Sequence, residues 1–209
     1  MYKMRLISKL LSFVMLTTQK YCIDESHGLS HSMDVLHYAN QIFEHEKNRD
    51  FRLEKQEKII YVSAIIHDMC DKKYMNENDG LKNIEDFLQE KIAKDEVKMV
   101  KDIISTLSYS TVKKIGFPKF NDYQTAYHIV READLLSAYN FDRGLIYSMN
   151  RDGTNAEDAF VETEKLFHSR MLKHNDDGLF ITKTGKNIAI KLETTALLRM
   201  NSWREILDM

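Results

Sequence analysis

His67 and Asp68 stand side by side directly after the apolar run Ile59, Ile60, Tyr61, Val62, Ser63, Ala64, Ile65, Ile66. A helix of that composition is buried on most faces, so an imidazole and a carboxylate at its end must be paired or hold a cation, because a bare buried charge costs several kcal/mol at least. Asp134 repeats the pattern within Ile129, Val130, Ala133, Leu135 and Leu136, and His31 opens another apolar-periodic segment. His31, His67, Asp68 and Asp134 together make a mixed nitrogen and oxygen shell. That shell suits one divalent transition-metal ion, Mn, Ni, Co, Fe or Zn, and suits Mg or Ca less, since those prefer oxygen alone.

Around these four lie further ionisable and hydroxyl side chains. Asp71 follows Asp68 by three residues and, if the helix continues, shares its face and can orient a water or supply a proton; otherwise it is an N-cap or loop aspartate. Lys72 and Lys73 bring positive charge beside the doublet or form a solvated face, and Arg143 beyond Asp134 can clamp a phosphate or pair with an acid. His27, four residues before His31, is a candidate catalytic group or part of a helix-entry turn. Ser108, Tyr109 and Ser110 offer hydroxyls and an aromatic plane for a substrate, or form a plain loop. His37, His45, His128, His168 and His174 lack partners at ligand spacing and read as surface or packing residues.

The elements that must position these groups are helical. Apolar residues recur at three- and four-residue spacing through Leu6, Leu10, Phe13 and Val14, through Val35, Leu36, Ala39, Ile42 and Phe43, and over windows 59–67, 81–92, 97–107, 123–141, 156–172 and 187–207. Strand alternation is scarcely visible, although Asp176-Asp177-Gly178 could carry a tight turn or short hairpin into Phe180 and Ile181. Gly28 and Gly80 read as breakers before the second and fourth helices. The expectation is all-α: a single irregular helical bundle over 1–209, with the site motifs within 27–143 and helices over 156–207 packed on the same core.

Composition narrows the function. With 30 basic and 32 acidic residues spread along the chain, no basic face tracks a phosphate backbone, so no stable nucleic-acid partner is expected. Lys3, Arg5 and Lys9 ahead of Leu10–Leu16 only loosely imitate a secretory signal. No stretch reaches the roughly 18 apolar residues of a membrane span, so no membrane partner is expected. Two cysteines are too few to staple 209 residues, which fits a reducing, cytoplasmic setting. Neither G-x-x-x-x-G-K nor G-x-G-x-x-G occurs, which argues against an ATP-driven enzyme. Oligomeric state is not written in the pattern.

The ordered motifs resemble the HD-domain metal-dependent phosphohydrolase superfamily. Asp24-Glu25-Ser26-His27-Gly28-Leu29-Ser30-His31 looks like its first motif, Ile65-Ile66-His67-Asp68 like its signature doublet, and Arg131 to Ala138, with Arg143 following, like its final motif. Asp71 to Tyr74, Ile104 to Ser110 and Thr182 to Lys186 are similar to the small stand-alone nucleotide phosphohydrolases and pyrophosphohydrolases. The resemblance spans roughly residues 5–205 and implies that His31, His67, Asp68 and Asp134 are the metal ligands. It also implies hydrolysis of a phosphate ester or anhydride in a nucleotide or other small phosphate compound, including a nucleoside triphosphate cut to monophosphate and pyrophosphate. The alternative is a nucleotide-sensing module that keeps the site without turnover.

Overall fold

The structure, a computed structural model, describes residues 2–208. Among them are ten α-helices and no strand: α1 (Tyr2–Tyr21), α2 (Leu29–Glu46), α3 (Leu53–Ile66), α4 (Glu77–Leu88), α5 (Lys94–Ile104), α6 (Tyr109–Ile115), α7 (Gln124–Ser137), α8 (Phe141–Asp152), α9 (Ala156–Ser169) and α10 (Lys183–Ile206). The all-α expectation holds. Asn76, Asn140, Asn155 and Thr182 cap their helices by accepting backbone N–H bonds, the role for which short polar side chains are favoured. Gly153 ends α8 at φ 62°, in the left-handed region that glycine reaches without strain.

Helices α2, α3 and α7 pack against one another at the centre. Ile59 to Ile66 of α3 and Ala126 to Ala133 of α7 are buried without a break, which explains why their sequences show little polar alternation. α1 covers α2 and α3, α5 lies on α3 with α4 outside it, and α10 lies across α7, α2 and α8. A single cluster of buried apolar residues runs from Leu6 to Met200. No helix among the described residues is long and apolar enough to cross a membrane.

Several expectations change. The window 123–141 ends early, at Ser137, and residues 141–152, outside the expected windows, form a separate helix, α8, capped by Asn140 through a bond from the Arg143 N–H. Ser108 to Ser110 open the short helix α6 rather than a loop. Of the two readings at Asp176-Asp177-Gly178 the tight turn is present and the hairpin is not: Gly178 sits in a turn at φ 67°, and the chain runs directly into α10. Gly80 lies inside α4 instead of before it, and a Cβ there would meet the Cys70 Cα at 2.7 Å. This glycine permits a close approach between α4 and the turn after α3; it does not break the helix.

Candidate metal centre

α3 stops at Ile66, and His67 to Cys70 form turns in which Met69 N–H bonds to Ile66 O and Asp71 N–H to Asp68 O. His67, capping α3, faces His31 from the first turns of α2, with their Nε2 atoms 3.0 Å apart. Asp134, in the last turns of α7, brings Oδ1 to 3.5 Å from both Nε2 atoms. His31, His67 and Asp134 thereby form a group, within 4.8 Å of one another, that could hold a metal ion. Asp68 lies outside that mutually close set but touches both rings: its Oδ2 is 3.1 Å from His31 Nε2 and 3.3 Å from His67 Nε2.

The donor chemistry fits a cation. His67 Nδ1 donates to Ala64 O at 3.0 Å, so the ring, once neutral, presents a bare Nε2 to the centre. Asp68 Oδ2 is buried and makes no hydrogen bond, a rare condition for a carboxylate oxygen. His31 Nδ1 meets Arg143 Nη1 at 3.1 Å and Ser137 Oγ at 3.2 Å. Arginine only donates, so the first contact describes Nδ1 as acceptor. The second suits Nδ1–H, because the Ser137 hydroxyl already donates to Asp134 O at 2.7 Å. Only that second tautomer leaves both Nε2 lone pairs free, and a buried polar partner that fixes the ligand tautomer is a usual feature of histidine metal sites.

Electrostatics follow from this crowding. Burial, reinforced by Arg143, lowers His31 to about 4. Burial would also lower His67, but the charges of Asp68 and Asp134 raise it well above the usual imidazole range. Burial would raise both carboxyls; His67 and His31 overcome it and hold Asp68 and Asp134 well below the usual carboxylate range.

The surrounding candidates differ in what they touch. His27 lies with its ring centroid 6.0 Å from that of His31. Its Nδ1 contacts Ser26 Oγ at 2.7 Å and Tyr74 Oη at 3.1 Å, and both hydroxyls donate onward to Asp24. That chain assigns the proton to Nδ1 and leaves Nε2 bare, 3.5 Å from Lys73 Nζ. Burial lowers the His27 pKa. Arg143 reaches the site and also donates to Ser26 O at 2.8 Å. The helix that would carry Asp71 onto the face of Asp68 has ended, which leaves the reading of Asp71 as a loop aspartate. Asp71 instead accepts from Lys73 N–H at 2.9 Å and shapes the turn that presents Lys73. Lys72 is exposed, Ser108 is exposed and paired with Ser110 Oγ at 3.0 Å, and Tyr109 is half-buried under the Arg170 guanidinium.

Sequence reasoning missed the role of Asp24 in holding His27, and it missed Tyr147, whose ring lies 5.5 Å from that of His27 with Lys73 Nζ 5.6 Å above it. The signal for Asp24 was its place two residues before Ser26, the spacing of a side-chain-capped turn. Tyr147 carried no local signal.

Comparison with known proteins bears on the fold alone. No family model and no curated protein matches the chain. The chain is similar to a solved structure, the crystal structure of a Lactobacillus plantarum protein determined as a structural genomics target. The two share 16% identity and a TM-score of 0.66 over 97% of this chain and 96% of that one.

Proposed function

We propose that the chain is a metal-dependent phosphohydrolase of the HD-domain type, acting on a nucleotide. The observation that carries this reading is the convergence of His31 Nε2, His67 Nε2 and Asp134 Oδ1 beside the unbonded Oδ2 of Asp68. The mixed donors favour Mn, Fe, Co, Ni or Zn over Mg. Such an ion, when bound, polarises a phosphate oxygen and acidifies a water.

The protein's own groups do the rest. Lys73 and Arg143 bind the phosphate and offset charge that grows in the transition state, the dominant contribution in phosphoryl transfer. Loss of the Arg143 contact to His31 Nδ1 leaves its guanidinium on Ser26 O with donors to spare. His27 Nε2 accepts the proton of the attacking water, and Asp24, through Ser26 and Tyr74, holds the imidazole in the required tautomer. Tyr147 offers a flat face beside Lys73 for the rest of the substrate. For a nucleoside triphosphate, the water oxygen bonds to the α-phosphorus and the bond from that phosphorus to its bridging oxygen breaks. Pyrophosphate leaves with the electron pair. Free thiols at Cys22, exposed, and Cys70, buried, suit a cytoplasmic setting.

The test is release of phosphate and pyrophosphate from nucleoside tri-, di-, mono- and cyclic phosphates with Mn, Co, Ni or Mg added to stripped protein. Turnover that disappears in Asp68→Ala supports the proposal. Silence across the panel from a protein that still binds the ion overturns it in favour of a sensing module.

A further inference from the structure

A second group of polar side chains is gathered where α9 ends. His174 is fully buried, and neither ring nitrogen has a hydrogen-bond partner. Its ring lies 5.9 Å from that of Tyr139, whose buried hydroxyl is also unpartnered, and 5.5 Å from that of Tyr109. Arg170 lays its guanidinium 3.9 Å over Tyr109, with its Nε buried and unbonded. Native proteins satisfy nearly all buried polar atoms, so several orphans in one neighbourhood mark a place for something else. The arginine N–H only donates, and the phenol and the neutral imidazole each have one hydrogen to give, so a partner rich in acceptors suits all three.

This group lies within electrostatic reach of the metal centre. Arg170 lies in the fields of Asp134, Arg143 and Tyr147, and His174 in those of Arg170 and Asp134. We infer that Arg170, backed by His174 and Tyr139, is a second anion subsite beside the His31, His67 and Asp134 group. It takes the distal phosphate of a substrate that carries two or more linked phosphates. The inference rests on the phosphohydrolase reading and narrows its substrate class to phosphoanhydrides. Tyr109 stacks under the guanidinium and fixes its plane, which favours two-point binding of a phosphate.

The experiment is calorimetric titration of inorganic pyrophosphate and of orthophosphate into the full chain in chelator-containing buffer, where only the protein's own cations bind them. The parent protein should bind pyrophosphate at least ~10-fold more tightly than orthophosphate, the effect of an added charge-assisted pair. Arg170→Gln should erase that preference and leave orthophosphate within about twofold, with Arg170→Lys intermediate and circular dichroism unchanged. A parent with no preference, or an Arg170→Gln protein that keeps it, overturns the inference and leaves water as the partner of the orphan atoms. The parent comparison needs no variant. Turnover measured alongside separates the two ideas: Arg170-dependent pyrophosphate binding without hydrolysis removes the hydrolase and keeps the subsite, whereas hydrolysis with Arg170-independent binding does the reverse.

Discussion

Replacing Gly185 by alanine probes how the last helix is clamped to the helix that carries Asp134. A Cβ at Gly185, in the first turn of α10, would lie 2.1 Å from Oε2 of Glu132 and 2.9 Å from Oγ1 of Thr182. Neither atom moves freely. The Glu132 carboxylate is fully buried and accepts from Ile181 N at 2.6 Å, Thr182 N at 3.0 Å and Thr182 Oγ1 at 2.5 Å. Thr182 Oγ1 also accepts from Gly185 N at 2.9 Å. Overpacking costs about 2 kcal/mol. Loss of one charge-assisted bond to Glu132 costs roughly 2 kcal/mol more. The helix propensity of alanine returns about 1 kcal/mol. The net loss is about 3 kcal/mol, which at roughly 2–4 °C per kcal/mol lowers Tm by about 6–12 °C in a chain of this length. Thermal unfolding followed by far-ultraviolet circular dichroism in metal-free buffer measures it. A midpoint within about 2 °C of the parent would show that the Glu132 clamp is not rigid and refute this reasoning.

Gly80→Ala forces a Cβ to within 2.7 Å of the Cys70 Cα and so displaces the turn that carries Asp68. Metal affinity should fall ~10-fold or more, the usual penalty for disturbing the support of a metal site; competition against a chelator of known affinity measures it, and an unchanged constant would rule the coupling out. His128, buried and carrying a pKa lowered to about 4 by burial and Arg131, should make the fold acid-sensitive. The unfolded chain, with histidine near 6.5, binds more protons than the folded one between pH ~6.5 and ~4, so stability present above that window is lost as pH falls, by up to about 1.4 kcal/mol per pH unit. In urea titrations from pH 4 to 7, His128→Gln should flatten this slope, and an unaltered slope would contradict the assignment.

The core of the site was legible because its chemistry is local: a histidine and an aspartate at the end of eight buried residues have no bland partner nearby, and Asp134 interrupts an equally apolar helix. The all-α class followed from periodicity for a similar reason. The end of α3 was not legible, since no breaker follows Ile66; the turn there is shaped by contacts across space, including the approach of α4 at Gly80. α8 fell outside every expected helical window although Asn140, followed by Asp142 in the first turn, carried the signature of a helix start. His174 was read as surface or packing, and it is indeed buried. Its neighbours Tyr109, Tyr139 and Arg170 come from separate segments, and no spacing rule brings them together.

The most direct measurement is the number of ions bound per chain when chelator-stripped protein is given Mn, Co, Ni or Zn, freed of excess and analysed by mass spectrometry. A single ion in the parent and none in His67→Ala is the predicted result. A parent that retains no ion of any kind, or a His67→Ala protein that retains as much as the parent, would contradict the assignment of His31, His67 and Asp134 as a metal centre.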